Sequence, residues 1–349
     1  MFPKILALLI IMITGNLIAQ NLLSGPESVA YDHQNNRYLV SNYYNGRIIE
    51  VDSLGGQSIF RQGLGRCLGN HIHGGILWVS VRDYWQVSSG RAVLGLDLAT
   101  GETVHTIEFY ATTTVDGLAA DNDGFIYVVD TTGRIYKIDV AAGAFELLTN
   151  IGLGQNPQDI FHDAENNRLI TVNYSGSGSF ISAVDLESGG TTLLLDPDFG
   201  DLDGVCLDQY GNIYVSSWND GGVVYRIDDS FAYDPEVISS GNNGPAGLDY
   251  DPYHNRLIIP NFNANTLSII DLEFTLVADF SASQTVGCTP LTVQFNDCTL
   301  GSPLVWWWDF NNDGVTDAFS ADPVWIYDSP GVYTVALKVH DGSDEDQEI

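Results

Sequence analysis

The chain has 349 residues, 44% of them apolar and 17% charged, and this composition excludes a wholly disordered protein. Asp and Glu number 45 against 13 Lys and Arg, which gives a formal net charge of −32. Because nucleic-acid phosphates and anionic membranes repel such a polyanion, we expect no nucleic-acid partner and consider cations, small molecules and glycans instead.

The first twenty residues have the features of a secretory signal peptide. Lys4 precedes a short apolar run over residues 5–13, and Ala19 lies near the expected cleavage point. The run is shorter than the about 20 residues that span a bilayer, and no other segment of the sequence is a candidate span. An N-terminal anchor helix is the alternative. We predict a signal peptide at 1–20 and a secreted protein that is extracellular, periplasmic or on the cell surface.

Residues 21–275 contain a repeat with a period of about 43 residues, typical of repeat folds. In the clearest copy, apolar or β-branched segments at 115–121, 124–130, 133–139 and 144–149 are separated by turns rich in Asn, Asp and Gly. Four short strands per repeat are typical of a β-propeller blade, with a solenoid as the alternative. The corresponding positions of the six copies are Glu27, Cys67, Asp116, Gln158, Asp203 and Ala246. The sequence therefore predicts an all-β fold with a six-bladed β-propeller.

The sixth copy lacks a clear fourth strand after residue 271. Residues 21–24, just before the first blade, resemble the fourth strand of another copy at 146–149. We expect residues 21–24 to supply the outer strand of blade six, which would pair an otherwise open edge.

Equivalent positions of a propeller repeat lie at the same height around the central channel. Four polar side chains would therefore meet there: Glu27, Asp116, Gln158 and Asp203. The three carboxylates among them would repel one another unless they were protonated, hydrated or bound to a cation. A hard divalent cation with oxygen ligands is the simplest resolution. The alternative is that these side chains only satisfy turn backbone groups. The sequence predicts a divalent-metal site, for Ca²⁺ or Zn²⁺, at these four residues.

A second set of polar residues ends the second strand of each copy. We expect it around the channel mouth, although for the asparagines we favour a role in turns. Its members are Asn42, Asp130, Asn173, Ser217 and Asn261. His71 and His73 share one face of a strand in the second copy and either line the channel or pack as structural residues.

Two segments carry a family resemblance. Residues 202–222, with Asp203 and Gly204 in a Leu-Asp-Gly-Val run, and residues 27–31, which begin with Glu27, resemble the SMP-30/gluconolactonase family. That family holds a divalent metal with a Glu, an Asn and an Asp and opens sugar lactones. The resemblance implies that Glu27 and Asp203 are metal ligands and that Asp203 is also a candidate general base. Gln158 falls on the family's Asn ligand.

The resemblance implies a metal-dependent hydrolase of lactones or esters. The metal would polarise the carbonyl and acidify a bound water, and an acidic neighbour would take the proton. The sequence has no Gly-x-Ser-x-Gly, His-Glu-x-x-His or P-loop motif, which excludes several other hydrolase classes. The alternative is a non-catalytic secreted binding or adhesion module that recognises glycan or protein.

A different pattern begins at about residue 276. Alternating strands at 290–295, 323–327 and 332–339 and the Trp-rich segment 306–310 resemble the PKD domain, a small immunoglobulin-like β-sandwich. We expect this domain at 276–349. Such domains usually have one more strand than is visible before Ile349, so we expect a longer modular secreted protein.

The PKD-like segment also contains a candidate calcium loop. Asp309, Asn311, Asp313 and Asp317 alternate as oxygen ligands do, although Ser320 stands where a bidentate Glu is usual. A solvated turn is the favoured alternative. Cys288 and Cys298 flank an extended strand, so they pair only if the chain bends sharply between them.

Overall fold

The computed structural model describes residues 20–110, 114–152, 156–175, 178–231, 233–272, 276–299, 301, 303–341 and 345–349. Most of the predicted signal peptide, residues 1–19, lies outside the described residues. In the described residues the regular structure consists of β-strands and one short 3₁₀ turn (Asn219–Gly221), so the prediction of an all-β fold is confirmed. The chain divides into two compact units, one up to Asp271 and one from Leu272.

The first unit is built from antiparallel sheets in which consecutive strands are neighbours. Blade 1 contains β1 (Pro26–Asp32), β2 (Arg37–Asn42), β3 (Arg47–Asp52) and β4 (Gln57–Gln62). Blade 2 contains β5 (Arg66–His73), β6 (Ile76–Arg82), β7 (Arg91–Asp97) and β8 (Thr103–Glu108). Blade 3 contains β9 (Val115–Ala120), β10 (Ile126–Asp130), β11 (Arg134–Asp139) and β12 (Ala144–Asn150).

The remaining blades follow the same order. Blade 4 contains β13 (Pro157–Asp163), β14 (Arg168–Asn173), β15 (Ile181–Asp185) and β16 (Thr191–Leu195). Blade 5 contains β17 (Leu202–Leu207), β18 (Ile213–Ser217), β19 (Val223–Ile227) and β20 (Glu236–Ser240). Blade 6 contains β21 (Asp249–Asp251), β22 (Arg256–Asn261) and β23 (Thr266–Asp271).

The inner strands close a ring. Each first strand contacts the first strands of both neighbouring blades, in the order β1, β5, β9, β13, β17, β21 and back to β1. The closing contact is a parallel bridge between Ser28 and Gly247, in which the Gly247 N–H donates to the Glu27 carbonyl at 2.8 Å. The prediction of six blades is confirmed, and it excludes an open solenoid.

Glycines on the inner strands allow this close approach. A Cβ at Gly204 would lie 2.5 Å from the Ala246 carbonyl oxygen, and one at Gly69 would lie 2.7 Å from the Asp116 carbonyl oxygen. Neither distance is possible for a real side chain, so only glycine fits at these two positions. The inner strands therefore pack backbone to backbone just below the predicted site.

Residues 21–24 do not form the predicted outer strand of blade 6. Their backbone N–H groups donate to side chains instead: Leu22 N to Gln57 Oε1 at 2.6 Å, and Ser24 N to Asn42 Oδ1 at 3.1 Å. Because these donors are already used, they cannot form a ladder with β23. The segment instead fills the seam between blades 1 and 6, where Leu23 is buried in a cluster that includes Ile258.

An aspartate ends most inner strands and organises the turn that follows. Asp208 accepts hydrogen bonds from the backbone N–H groups of Tyr210 and Asn212, each at 2.9 Å, and from the Tyr214 hydroxyl at 3.0 Å. The corresponding residues in the other blades with this feature are Asp32, Asp121, Asp163 and Asp251, all buried. This use of Asp explains why the repeat is rich in Asp and Asn at its turns.

The second unit is a sandwich of two three-stranded sheets. One sheet contains β24 (Phe280–Ala282), β25 (Leu291–Asp297) and β27 (Val324–Tyr327). The other contains β26 (Val305–Asp309), β28 (Ala336–His340) and β29 (Glu345–Glu348). Trp308, Phe310 and Leu337, none of them exposed, lie in the core between the sheets. The predicted strand over 332–339 begins only at Ala336, and Tyr333 is partly exposed.

In the part of the chain that the structure describes, no helix has the length and apolar character needed to cross a bilayer. The expectation of a further strand beyond Ile349 stays a prediction.

Candidate functional site

A cavity of about 490 Å³ opens at the end of the channel where the inner strands begin. All six blades contribute to it. The residues that line it are Glu27, Tyr43, Tyr44, Leu68, Arg82, Thr114, Asp116, Thr131, Asn156, Gln158, Tyr174, Asp203, Trp218 and Phe262. All four predicted metal ligands are therefore brought together in one cavity.

Three carboxylates form what we call the acidic entrance: Glu27 on β1, Asp116 on β9 and Asp203 on β17. Burial raises the pKa of Glu27 well above its ordinary value, and Asp203 raises it further. Burial also raises the pKa of Asp116 strongly, with added repulsion from Glu27 and Asp203. These groups thus lie close enough to repel one another, as the repeat register predicts.

The acidic entrance has few hydrogen-bond donors. Asp116 is 5% exposed and Asp203 is 7% exposed, yet among the described residues no hydrogen bond from the protein reaches the carboxylate of Asp116 or Glu27. A buried carboxylate without a donor is costly. The raised pKa values express this cost: without a cation, Glu27 and Asp116 favour their protonated forms, and a bound positive charge would favour their ionisation.

Asp203 lies beside Trp218 as well as beside the other carboxyl groups of the acidic entrance. Burial raises the pKa of Asp203 to about 7, and the indole N–H of Trp218 partly opposes this shift. The same N–H has no hydrogen bond of normal geometry, so the two groups are close without being well paired. A carboxyl with a pKa near neutrality is suited to accept and release a proton.

Gln158 is the residue with a side-chain amide among the four predicted ligands that line the cavity. Its Nε2 donates to the Asn156 carbonyl at 3.1 Å, and Asn156 itself has a left-handed backbone conformation (φ 46°). Because the nitrogen is held by the backbone, the amide oxygen is the atom left for a ligand.

Arg82, at the end of β6, is a cavity residue that the sequence analysis missed. Its guanidinium lies 4.9 Å from the centre of the Tyr43 ring and donates to the Tyr43 hydroxyl. Its positive charge lowers the pKa of Glu27 and of Asp116, against the larger effect of burial. The sequence repeat could have identified Arg82, because this residue occupies in blade 2 the position that Asn42 occupies in blade 1. The strand pairing shows the equivalence, since Arg66 pairs with Arg82 as Pro26 pairs with Asn42.

Aromatic side chains form the rim on one side of the cavity. We call Tyr43, Tyr44, Phe262, Trp218 and Tyr174 the aromatic arc. Neighbouring ring centres lie 5.2 Å apart for Tyr44 and Phe262, 5.7 Å for Phe262 and Trp218, and 5.9 Å for Trp218 and Tyr174. The arc spans blades 4, 5, 6 and 1, since four of these residues directly follow the second strand of a blade. This repeat position also could have been identified from the sequence.

Two more carboxylates lie near the acidic entrance along the inner strands. Burial raises the pKa of Asp159 to about 8, and its carboxylate accepts from the backbone N–H groups of Ile160 and Val205. Burial raises the pKa of Asp249 to about 6. Asp203 and Asp249 both raise the pKa of Asp159, so these carboxyl groups lie close enough along the inner strands to affect one another.

The other predicted channel residues lie elsewhere. Cys67 and Ala246 are fully buried and do not line the cavity. The residues predicted around the channel mouth are also buried and do not line the cavity: Asn42, Asp130, Asn173, Ser217 and Asn261.

The physical reason is that the mouth residues organise turns. Asn42 binds the backbone of Leu22 and Ser24, and Asp130 accepts from the backbone N–H groups of Thr132 and Arg134. The amide of Asn173 is likewise held by its own loop, and Asn261 donates to the Ser268 hydroxyl at 2.9 Å. None of these residues lines the cavity. Asn42 and Asn173 bind backbone groups, as favoured for the asparagines, whereas Asn261 contacts Ser268 and its Oδ1 accepts no hydrogen bond from the described residues.

His71 and His73 lie on β5 and do not line the cavity. Burial, with smaller effects from His73 and His162, lowers the pKa of His71 to about 4. His71 is therefore neutral near pH 7, as expected for a packed structural histidine.

The acidic entrance fits a hard cation by its chemistry, because Glu27, Asp116, Asp203 and Gln158 offer only oxygen donors. In the described ranges, however, no group of three or more His, Cys, Asp or Glu side chains is arranged to hold a metal ion. A metal would therefore have to draw these side chains together.

The candidate calcium loop of the second unit is closed by its own backbone. The Asp309 carboxylate accepts from the N–H groups of Asp313 at 3.1 Å and Gly314 at 2.7 Å, and Asp317 accepts from the Phe310 N–H at 2.8 Å. Asn311 donates to Asp313 at 3.0 Å. These contacts are those of an ordered turn, and calcium binding there stays a prediction. All four cysteines are free thiols, so Cys288 and Cys298 do not pair.

Comparisons with known proteins agree with this architecture. The family model of the PKD domain matches residues 275–348. None of the curated proteins compared matches the sequence. A gluconolactonase from Xanthomonas campestris is similar in structure, with a TM-score of 0.61 and 16% identity, over 72% of this chain and 87% of that one.

Two further solved structures share the fold. A protein of unknown function from Bacteroides thetaiotaomicron has a TM-score of 0.60 and 12% identity, over 72% of this chain and 71% of that one. A chain of a nidogen–laminin complex has a TM-score of 0.52 and 14% identity, over 66% of this chain and 92% of that one. Identities this low support the fold and not an activity. The chain therefore combines a six-bladed β-propeller of the kind found in gluconolactonase with a PKD domain.

Proposed function

We propose that the propeller binds a divalent cation, Ca²⁺ or Zn²⁺, at the acidic entrance and hydrolyses lactones or esters in the cavity above it. One observation carries the proposal: three carboxyl groups from three separate blades meet in a 490 Å³ cavity, where burial raises the pKa of each. The likeness to a gluconolactonase supports it at the level of fold.

Four residues would hold the cation: Glu27, Asp116, Gln158 and Asp203. When bound, a divalent metal polarises a carbonyl and acidifies a water molecule. Arg82 favours the ionised forms of Glu27 and Asp116, because its positive charge lowers the pKa of both. Burial outweighs Arg82 at both residues, so a bound cation would have to supply the remaining stabilisation of the ionised ligands.

Asp203 would be the proton acceptor. Its pKa of about 7 allows it to remove a proton from the attacking water and to return it to the leaving alcohol oxygen. The indole N–H of Trp218 acts on the Asp203 carboxylate and opposes the rise in its pKa. The aromatic arc limits the access of bulk water on one side of the cavity.

The test is an assay of the full chain after treatment with EDTA and after reloading with Ca²⁺ or Zn²⁺. We expect hydrolysis of a lactone and ester panel only with metal, a calorimetric signal for metal binding, and loss of both in the variant Glu27→Gln. Asp198→Asn, which changes an exposed carboxylate, is the control and should behave like the unchanged chain. Absence of both metal binding and hydrolysis contradicts the proposal.

A second candidate is a non-catalytic module that binds glycan or protein. The aromatic arc favours it, because Tyr44 is 65% exposed at the rim and exposed aromatic side chains are typical contacts for such ligands. The variant Asp203→Asn distinguishes the two candidate functions. This variant should lose turnover if the site is catalytic, and it should keep ligand binding if the site only binds.

We also infer that the protein is exported. PKD domains are typical of extracellular proteins, and the N-terminal residues have the features of a signal peptide. Mass spectrometry of the product from a secreting host should show cleavage near residue 20, and a retained, uncleaved chain contradicts the inference.

A further inference from the structure

Among the described residues, blade 6 has three strands and each of the other five blades has four. Its last strand, β23, therefore lies at an edge that a fourth strand covers elsewhere in the propeller. We propose that this edge is a self-association surface, at which β23 of one copy pairs antiparallel with β23 of a second copy of this chain. Such pairing needs neither a cation nor the chemistry of the cavity.

The first support is the direction of the backbone groups of β23. Pro260 pairs with Leu267 in the register of β22 and β23, but Pro260 has no N–H and its carbonyl accepts from Ala246 on the opposite side of β22. The pair is therefore not hydrogen-bonded, and the N–H and C=O of Leu267 face away from β22. Those of Ile269, two residues further, face the same way. No hydrogen bond from the described residues reaches these four groups.

The second support is that the side chains of β23 are left uncovered. The third strands of blades 1–5 each contain at least three buried residues, whereas β23 contains none. Leu267 occupies the register position that the fully buried Ile48 has in blade 1, and Ile270 occupies that of Val51. Ile269 is 44% exposed. A strand paired to this edge would remove apolar surface from water.

The third support is that the other blades disrupt their outer edges and blade 6 does not. In blades 1–5 the pairing of the third strand with the fourth contains a register irregularity, which bends and twists the outer strand. The pairing of β22 with β23 is regular over all six residues. β23 also contains no Pro and no Lys, which natural edge strands use to prevent pairing. A regular edge of this kind is a template for another strand.

The charges of β23 indicate a second copy as the partner. Asp271 is the one charged residue of the strand, and it forms an ion pair with Arg256 on β22. Two antiparallel copies of β23 place their Asp271 side chains at opposite ends of the pair, so like charges do not face each other. A parallel pair would place them side by side. The strand is therefore complementary to itself in the antiparallel direction, as a two-fold interface requires.

The net charge sets the conditions under which this pairing forms. Each chain carries a formal charge of −32, so two copies repel each other in dilute salt. The screening length falls from about 8 Å at physiological ionic strength to about 3 Å at 1 M, so association should strengthen as salt is added. One pair of edge strands buries less surface than a stable dimer needs, so the association should be weak and depend on concentration.

The test is sedimentation velocity of the full chain at about 5 to about 500 µM protein, in low salt and in about 1 M NaCl. EDTA is present throughout, so that cations cannot bridge two polyanions. We expect a monomer at the lowest concentration and a dimer that increases with concentration, with a dissociation constant at least about threefold lower in high salt. A monomer under all of these conditions overturns the inference. Association that weakens with salt also overturns it, because unlike charges would then hold the copies together.

Ile269→Lys tests the edge itself. In blade 1 the same register position carries Glu50, so the fold accepts a charged side chain there. Lysines on both paired strands would repel each other, and the dissociation constant should rise at least about tenfold. The substitution makes the net charge less negative, so a loss of association cannot come from added general repulsion.

Val237→Lys is the matched control. Val237 lies on β20, the irregular outer strand of blade 5, and is 55% exposed. This variant should associate like the unchanged chain. Association that both variants weaken equally, or that neither weakens, places the contact elsewhere and contradicts the inference.

Hydrogen exchange locates the contact without a substitution. The amides of Leu267 and Ile269 should exchange more slowly at protein concentrations that give the dimer, because they then donate to the second copy. The amides of β20, at Glu236–Ser240, should exchange equally fast at all concentrations. A dimer without added protection in β23 shows that this edge is not the interface.

Discussion

The inner strands of the propeller carry carboxylates at both ends, and the two ends differ in how those charges are satisfied. At the start of the strands, Glu27 and Asp116 accept no hydrogen bond from the described residues. At the opposite end, Asp32 binds Arg37 at 2.8 Å and Asn35 at 2.8 Å, and Asp208 accepts from two backbone N–H groups and a tyrosine hydroxyl.

The pKa values show the same contrast. Burial raises the pKa of Asp116 strongly, and its neighbours add to the shift. Burial acts on Asp32 as well, but hydrogen bonds from Asn35 and Arg37 outweigh it and lower its pKa. The two shifts are opposite because Asn35 and Arg37 donate to Asp32, whereas Asp116 is more deeply desolvated and lies beside Glu27 and Asp203. Unsatisfied charge that is kept in a fold at a cost is a mark of function.

The largest expected effect is on turnover at the acidic entrance. Asp203→Asn keeps the size of the side chain and removes its ability to accept a proton. We expect kcat to fall by about a thousandfold with little change in the unfolding midpoint. Steady-state hydrolysis and urea unfolding of the same samples are the measurements.

The matched control for Asp203 comes from the opposite end of the same inner strand. Asp208→Asn should keep kcat within about twofold, because Asp208 lies in a turn and does not line the cavity. If Asp203→Asn retains full activity, Asp203 is not the proton acceptor.

One substitution made at both ends should change stability in opposite directions. Asp32→Asn removes the buried partner of Arg37, which keeps Glu50 at 2.6 Å, and should lower the free energy of unfolding by about 2 kcal/mol. Asp116→Asn removes repulsion with Glu27 and Asp203, so in metal-free buffer at pH 8 it should raise that free energy by about 1 kcal/mol. Urea unfolding monitored by tryptophan fluorescence measures both. Destabilisation by both variants to the same extent would mean that the two ends do not differ.

Much of this arrangement could be predicted from the repeat. A propeller fixes the height of each repeat position, so Glu27, Asp116, Gln158 and Asp203 were found from their register alone. The same register, applied to the position that follows the second strand, would have identified Trp218 and Phe262. Arg82 was missed because the repeat in blade 2 is degenerate, and β5 carries an irregularity between Cys67 and Asn70 that obscures the alignment.

The predictions that the structure did not support depend on hydrogen bonds, which the spacing of residues in the sequence does not show. Residues 21–24 have the composition of a strand, but the side chains of Gln57 and Asn42 take their N–H groups. Asn42 and Asn173 occupy the height of the channel mouth, but their amides are turned to local backbone. Which polar group satisfies which donor depends on side-chain contacts between segments distant in sequence, and a repeat pattern contains no information on them.

A smaller effect is expected from His71 as the pH falls. Its folded-state pKa is lowered to about 4 by burial and by His73 and His162, whereas the unfolded value is about 6.5. Between these values the unfolded chain binds a proton that the folded chain does not, so this histidine costs stability as pH falls from about 6.5 to about 4. The carboxylates of the acidic entrance act in the opposite sense, so the informative quantity is the difference between variants.

His71→Gln should therefore lose about 1–2 kcal/mol less than the unchanged chain between pH 7 and pH 4.5. Urea unfolding at both pH values gives this difference. His33→Gln, at an exposed position, is the control and should follow the unchanged chain. A pH dependence that is the same in all three proteins would show that His71 titrates normally.

The smallest expected effect is the change in thermal stability of the second unit on addition of calcium. This prediction extends the comparison to a third set of carboxylates, those of the candidate calcium loop. Asp309 resembles the turn aspartates of the propeller, because backbone N–H groups of its own loop occupy its oxygens and, against the effect of burial, lower its pKa. A satisfied carboxylate gains little from a cation. We expect millimolar calcium to shift the thermal unfolding of the second unit by less than about 1 °C, whereas Asp309→Ala should destabilise it by about 1–2 kcal/mol through loss of the turn. A calcium-induced shift of several degrees that disappears in Asp313→Ala would instead identify this loop as a calcium site.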